Sequence, residues 1–452
     1  MSGPHAERLL WAPQAWVDGR WQQRVLLAID GQGRWQSVTP DQACPDGARA
    51  LAGPVLPALA NAHSHAFQRA FAGLAERRDS AHDDFWSWRD RMYGVALRIT
   101  PEELGTVARQ LYAELLAGGF SQVCEFHYLQ HQPDGRPYAG EHGQLSMARA
   151  LAEAAQEVGI GLTLLPVLYQ RAGFAQPTLR PDQRRFATTP AQVLAMRDGI
   201  RAWGLPGVSA GVAIHSLRAA APESITELAA GCDGDAAPIH LHIAEQTAEV
   251  ADCLAATGQR PIEWLARHVA LDARWQLVHA THAEPAEIEA VAAAGAGVVI
   301  CPSTEANLGD GLCDLPRWLA SGAALSVGTD SHVGRAWPAE LQLLEYGQRL
   351  ALRQRNVAAD PAVQPSTAAR LYQRLATGGA AAAGFARWGL QAGARADWTV
   401  LDTRVSGLAG VPAEHWLDAL VFSTAAPAFA EVGVAGRTAL AFDGAAGPGF
   451  KG

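Results

Sequence analysis

Three histidines and an aspartate, His63, His65, His242 and Asp330, are placed so that they can share one divalent cation. His63 and His65 stand two apart in "NAHSH" at the end of an apolar run. Residues i and i+2 of a strand point to one face, so both imidazoles can reach the same ion. A lone His-x-His also describes a turn with two solvated histidines, so it needs partners to mean more. His242, in "HLHIAEQ", offers a third imidazole. His240 lies on the same strand face and competes for that role. His242 is preferred because it is nearer the end of its run and is followed three residues on by Glu245, which leaves His240 as a packed or supporting histidine. Asp330, in "SVGTDSH", ends a further apolar run just after Gly328. Alone it reads as a helix N-cap; beside three histidines it reads as a ligand.

Such a donor set keeps one coordination position for water, as catalytic zinc sites do, and zinc lowers the pKa of that water from about 15.7 to about 7. Glu245 is then the carboxylate that would carry protons from the water to a leaving nitrogen. His279, closing the run "WQLVH", would polarise or orient the attacking water, and His282, three residues on, is expected at the surface or in a supporting place.

These side chains lie far apart in sequence, so the fold must bring them together. From Gly53 onward, eight apolar strand-like runs alternate with Ala/Leu-rich stretches of helical character, such as Pro101–Ala117, Pro190–Trp203 and Glu284–Ala294. The runs end near His63, Glu125, Leu168, His215, His242, His279, Cys301 and Asp330. Fully apolar strands alternating with helices predict a parallel sheet covered on both faces, and eight repeats predict closure into a (β/α)8 barrel over residues 56–387. Barrel strands deliver catalytic groups at their C-terminal ends, which is where the polar residues fall here. The first 55 or so residues carry short half-apolar runs (Arg8–Ala12, Trp21–Ile29, Trp35–Val38), and β character returns in Trp388–Thr403 and Phe429–Gly444. Residues 1–55 and 388–452 are therefore expected to meet in one small β-sandwich domain.

Composition narrows the function classes. Hydrophobic residues make up 49% of the 452 and charged residues 18%, enough for a large core. A net charge of −9 gives no basic footprint for nucleic acid, so an anionic ligand must be met by locally placed arginines. The six cysteines are scattered with no Cys-x-x-Cys pair, the N-terminal residues carry no secretory pattern, and no run approaches a membrane span. A cytoplasmic location is expected.

The set of His-x-His after the first run, His after the fifth and sixth and Asp after the eighth resembles the amidohydrolase superfamily. No lysine ends the fourth run, which closes on His215, so the resemblance is to the branch that uses a single metal ion, here one Zn2+ per subunit. More narrowly, "NAHSHAFQRAFAGLAE", "FWSWRDRMY", "CEFHYLQH", "IHSLRA", "HLHIAEQ" and "CPSTEANLGDG" resemble the formimidoylglutamate deiminase family over nearly the whole chain. That resemblance implies hydrolysis of N-formimino-L-glutamate to N-formyl-L-glutamate and ammonia in histidine degradation, by a homodimer. It also implies Gln68, Tyr128 and His215 as substrate contacts. A substrate with two carboxylates calls for cationic donors away from the metal, and Arg89 and Arg218 are the natural clamps. Arg89 could instead pair with Asp84 or Asp90, and Tyr128 could simply pack. The rival reading within the superfamily is a single-zinc deaminase acting on guanine, a nucleoside or a triazine, which would want aromatic walls and base-edge amides. A non-catalytic scaffold on the same fold is a further alternative, against which the presence of His63, His65, His242, His279 and Asp330 together argues.

Overall fold

The computed structural model describes residues 8–78, 83–426 and 428–442; the outer limits of the expected end domain, 1–7 and 443–452, lie outside the described residues. The eight apolar runs form strands β1 (Leu59–Ser64), β2 (Phe120–His127), β3 (Gly161–Leu168), β4 (Val212–Ile214), β5 (Ile239–Ile243), β6 (Trp275–His279), β7 (Gly297–Ile300) and β8 (Ala324–Val327). Each pairs in parallel with the next. All residues of β1 to β3 and β5 to β7 are buried. Helices cover one face and packed side chains fill the other, so these strands do not alternate in polarity as half-exposed ones do.

The ring closes through one bridge, Ser64 with Asp330. The Asp330 N–H donates to the His63 carbonyl (3.0 Å), and the His65 N–H donates to the Asp330 carbonyl (3.2 Å). Behind this seam, Asn61 holds Thr329 at both its hydroxyl and its N–H, and His332 lies between the hydroxyls of Thr329 and Ser64. Four buried polar side chains thus satisfy one another where the sheet has no regular ladder.

The helices start where the sequence punctuates. Thr100 and Glu103 form a capping box ahead of Pro101–Ala117, and Thr189 and Gln192 do the same for Pro190–Ala202. A short 3-10 turn, Gly143–Leu145, leads into the helix Ser146–Val158. No described helix is long and apolar enough to cross a membrane.

Thr367–Ala382 packs across the far end of the barrel. The Ala382 carbonyl accepts from His240 (2.8 Å) and Cys124, and the Ala383 carbonyl from Thr163 (3.1 Å), so three strands take up the orphan carbonyls of one helix end. Gly378 permits this approach, since a Cβ there would run into the Leu325 backbone. Gly378→Ala is expected to cost roughly 2–4 kcal/mol, as overpacking against an immovable backbone does, and to lower the urea midpoint accordingly.

Both chain ends build a second sheet of eight strands. Val55–Leu56 joins them: Val55 pairs with Ala15 on one side and Val400 on the other. The sheet curls over its own core, bringing Trp35 within 5.8 Å of Trp398, ring to ring, from strands well separated in the sheet order. Its first strand is longer than the expected Arg8–Ala12, running Arg8–Val17 straight past Pro13. The pairing skips Pro13, which has no N–H to give, and Arg24 opposite takes φ 49°, with the register unchanged on either side. Conversely, only Trp398–Leu401 of Trp388–Thr403 is strand, because Gly389 and Gly393 turn the chain before it.

Candidate metal centre and active site

The ends of β1 and β5 deliver three imidazoles to one point. The Nε2 atom of His63 lies 3.1 Å from that of His65 and 2.9 Å from that of His242. Asp330 Oδ1 stands 3.5 Å from His63 Nε2 and 3.3 Å from His65 Nε2. Tetrahedral ligands with bonds of about 2.1 Å sit about 3.4 Å apart, which the spacings of His63 to His65 and His242, and of Asp330 to His63 and His65, approach; the three imidazoles alone form one compact group, with Asp330 beside two of them. Burial pushes His63, His65 and His242 below the ordinary imidazole range, which favours the neutral form that binds metal.

Backbone carbonyls aim two of these rings. His65 Nδ1 meets the Phe126 carbonyl (2.9 Å) and His242 Nδ1 meets the His215 carbonyl (2.9 Å), which leaves each Nε2 facing inward. The His-Ser-His turn is itself braced by Glu125: the Ser64 hydroxyl and the Ala66 N–H both donate to its carboxylate at 2.6 Å. In the sequence Glu125 stands out only as the end of an apolar run. A carboxylate closing a strand beside His-x-His could have been read as its brace. His240 points to the Ala382 carbonyl and stands outside the cluster, as expected of the supporting histidine.

With the exception of His63, fully buried beneath, every residue expected in the site lines one pocket. His279 Nε2 lies 3.7 Å from Glu245 Oε1 and 3.8 Å from Asp330 Oδ2. Burial raises the Glu245 carboxyl to about 7, with Asp330 and Glu249 adding to the rise and His279 opposing it. Burial acts against a charged His279, yet Glu245, Cys301 and Glu305 outweigh it and raise this imidazole well above its usual range. Several residues here have left-handed backbone despite carrying side chains: Ala244 (φ 52°), His279 (69°), Ala280 (47°), Asp330 (46°) and His332 (65°). They end or follow β5, β6 and β8, and such strain persists only where the surroundings enforce it. Asp330 is thus not a helix cap; it turns into the pocket from the seam.

The opposite wall is cationic and aromatic. Arg89 and Arg218 both lie over the Trp86 ring, at 4.5 and 5.6 Å from its centroid. Asp90 is 4.0 Å from Arg89 and largely exposed, so it does not neutralise it. Arg89 Nε and Arg218 Nη1 are buried without a hydrogen-bond partner. Gln68 donates to the Tyr128 hydroxyl (3.1 Å), and its Oε1 is likewise buried and unpartnered. His215 packs edge-on against Tyr169, ring centroids 4.4 Å apart. Trp86 went unnoticed in the sequence because an aromatic in an aromatic-rich segment reads as core.

A barrel with this donor cluster at its mouth defines the class: the chain belongs to the amidohydrolase family, whose model matches residues 55–439. It is 45% identical to formimidoylglutamate deiminase of Pseudomonas aeruginosa, over 95% of this chain and 93% of that one. An amidohydrolase from Brucella melitensis, known from a crystal structure, is 40% identical with a TM-score of 0.89, covering 95% of this chain and 94% of its own. The fold is also that of an adenosine deaminase from Xanthomonas campestris crystallised with bound zinc, at 22% identity and a TM-score of 0.76, covering 95% and 92%.

Proposed function

We propose that this chain hydrolyses N-formimino-L-glutamate to N-formyl-L-glutamate and ammonia, a step of histidine degradation, using one zinc ion per subunit held by His63, His65, His242 and Asp330. The observation that carries the reading is the pairing of two guanidinium groups, each with a buried nitrogen lacking a hydrogen-bond partner, with a triple-imidazole cluster and Glu245 in one pocket. A dianionic substrate answers both needs at once, because unpaired buried donors are costly until a carboxylate meets them. The similarity to the Pseudomonas aeruginosa enzyme supports the same substrate.

In this reading Arg89 and Arg218 take the two carboxylates, while Gln68, Tyr128 and His215 fix the chain that leads to the formimino group. His63, His65, His242 and Asp330 would hold a zinc ion, which would make water acidic enough to attack at neutral pH. Asp330 and His279 orient that water and ease its deprotonation. Water oxygen bonds to the formimino carbon as Glu245 carries one water proton to the formimino nitrogen; the remaining hydroxyl proton then goes by way of Asp330 and Glu245 to the same nitrogen, the C–N bond breaks, and ammonia leaves as the formyl C=O forms.

Arg218→Met is expected to raise KM for N-formimino-L-glutamate about 10²-fold with a smaller change in kcat, the cost of losing one partner of a buried charge pair. Ammonia release measured beside guanine and S-adenosylhomocysteine completes the test. Turnover of either ring substrate above that of N-formimino-L-glutamate would replace this reading with a ring deaminase.

A further inference from the structure

His279 has two working sides, and the one turned away from the pocket meets a carboxylate. Its Nδ1 lies 3.2 Å from Glu305 Oε1. The same oxygen accepts the Cys301 N–H at 2.8 Å. Glu305 is only 4% exposed, and no arginine or lysine is among its ion-pair partners in the described residues. A buried carboxylate with an amide and an imidazole as its partners is costly unless the ring donates to it.

We infer that Glu305 is a positioning residue that keeps the Nδ1–H of His279 turned toward itself, so that Nε2 alone faces the reacting atoms. The inference rests on the proposed function, in which His279 acts on the attacking water. The geometry behind it is local and specific. Glu305 sits in the short helix Pro302–Leu308 that follows β7, and its own N–H bonds the Cys301 carbonyl. The carboxylate is therefore tied at both backbone and side chain before it meets the ring. On the far side His279 Nε2 points between Glu245 and Asp330, at 3.7 and 3.8 Å. The left-handed backbone at His279 and Ala280 sets where the ring stands; it does not choose which nitrogen carries hydrogen. An acceptor at Nδ1 does choose, in the way an aspartate fixes the tautomer of a catalytic histidine elsewhere. Without it, the ring flip that exchanges the two nitrogens competes, and only one orientation serves the site.

The test is a double-mutant cycle on the zinc-loaded protein. Glu305→Gln keeps the size of the side chain and an oxygen for the Cys301 N–H, and removes the anionic acceptor. Expected is a kcat lower by roughly 10–100-fold, with KM within about twofold and zinc content unchanged. In a His279→Ala background the same substitution is expected to cost less than about threefold, because its effect runs through the missing ring. Wild-type kcat in Glu305→Gln, an equal loss in both backgrounds, or a second metal equivalent that disappears with Glu305 would each overturn the inference. Wild-type turnover in His279→Ala would instead sink the reading of His279 on which it rests. A check that needs no Glu305 variant is 15N NMR of histidine-labelled protein. The ring signals that vanish in His279→Ala should be those of an Nδ1-protonated ring, and an Nδ1 bare of hydrogen overturns the inference.

Discussion

Replacing Glu245 with Gln is expected to lower kcat by about 10³–10⁴-fold while the zinc content of the purified protein stays at the level of the unaltered chain. The two halves of that result come from different features of the site. Glu245 stands outside the cluster formed by His63, His65 and His242, so an ion does not depend on it. Its carboxylate faces His279 Nε2 at 3.7 Å within the same pocket, the position from which a proton is moved between water and a leaving nitrogen. Burial raises it to about 7, so at neutral pH it both takes and gives a proton readily. The amide is nearly isosteric but cannot make the transfer; a thousandfold loss corresponds to about 4 kcal/mol of barrier. Zinc content by metal analysis and steady-state ammonia release measure the two halves separately. Undiminished turnover would remove Glu245 from the chemistry.

Stripping the metal is expected to abolish turnover altogether, with recovery on adding one equivalent of zinc. His63 and His242 present their Nε2 atoms to each other at 2.9 Å, and both imidazoles are held neutral by burial. Two neutral nitrogens at that distance share one hydrogen at best, and a cation satisfies them together with His65 and Asp330. His242→Ala should therefore behave as the stripped protein does and resist rescue by zinc at stoichiometric concentration. Full activity after exhaustive chelation, with metal analysis confirming removal, would exclude a metal-dependent reaction here.

The fold and the donor cluster were legible because both are written in local pattern. Strands buried on both faces leave unbroken apolar runs, and a polar residue at the end of such a run stands out, as His242 and His279 do. What could not be read is what depends on contacts between distant segments. Nothing local says that Asp330 becomes the bridge to Ser64, or that Glu305, one turn into a seven-residue helix, lies behind His279. Trp86 beneath two guanidiniums is invisible for the same reason: a stacking partner is defined by the place where two other segments arrive. Pro13 shows the opposite failure, a local breaker overruled by the pairing on either side of it.

The bridge at Ser64 and Asp330 has one more consequence. The residues that would grip the ion are the ones that stitch the first strand to the last, through the backbone bonds of His63, His65 and Asp330. Whatever binds the folded ring and not the open chain adds to its stability by mass action. Metal scarcity would therefore act on the amount of this protein as well as on its rate: molecules lacking the ion would unfold more often and be cleared by proteolysis, leaving fewer copies to refill when the supply returns.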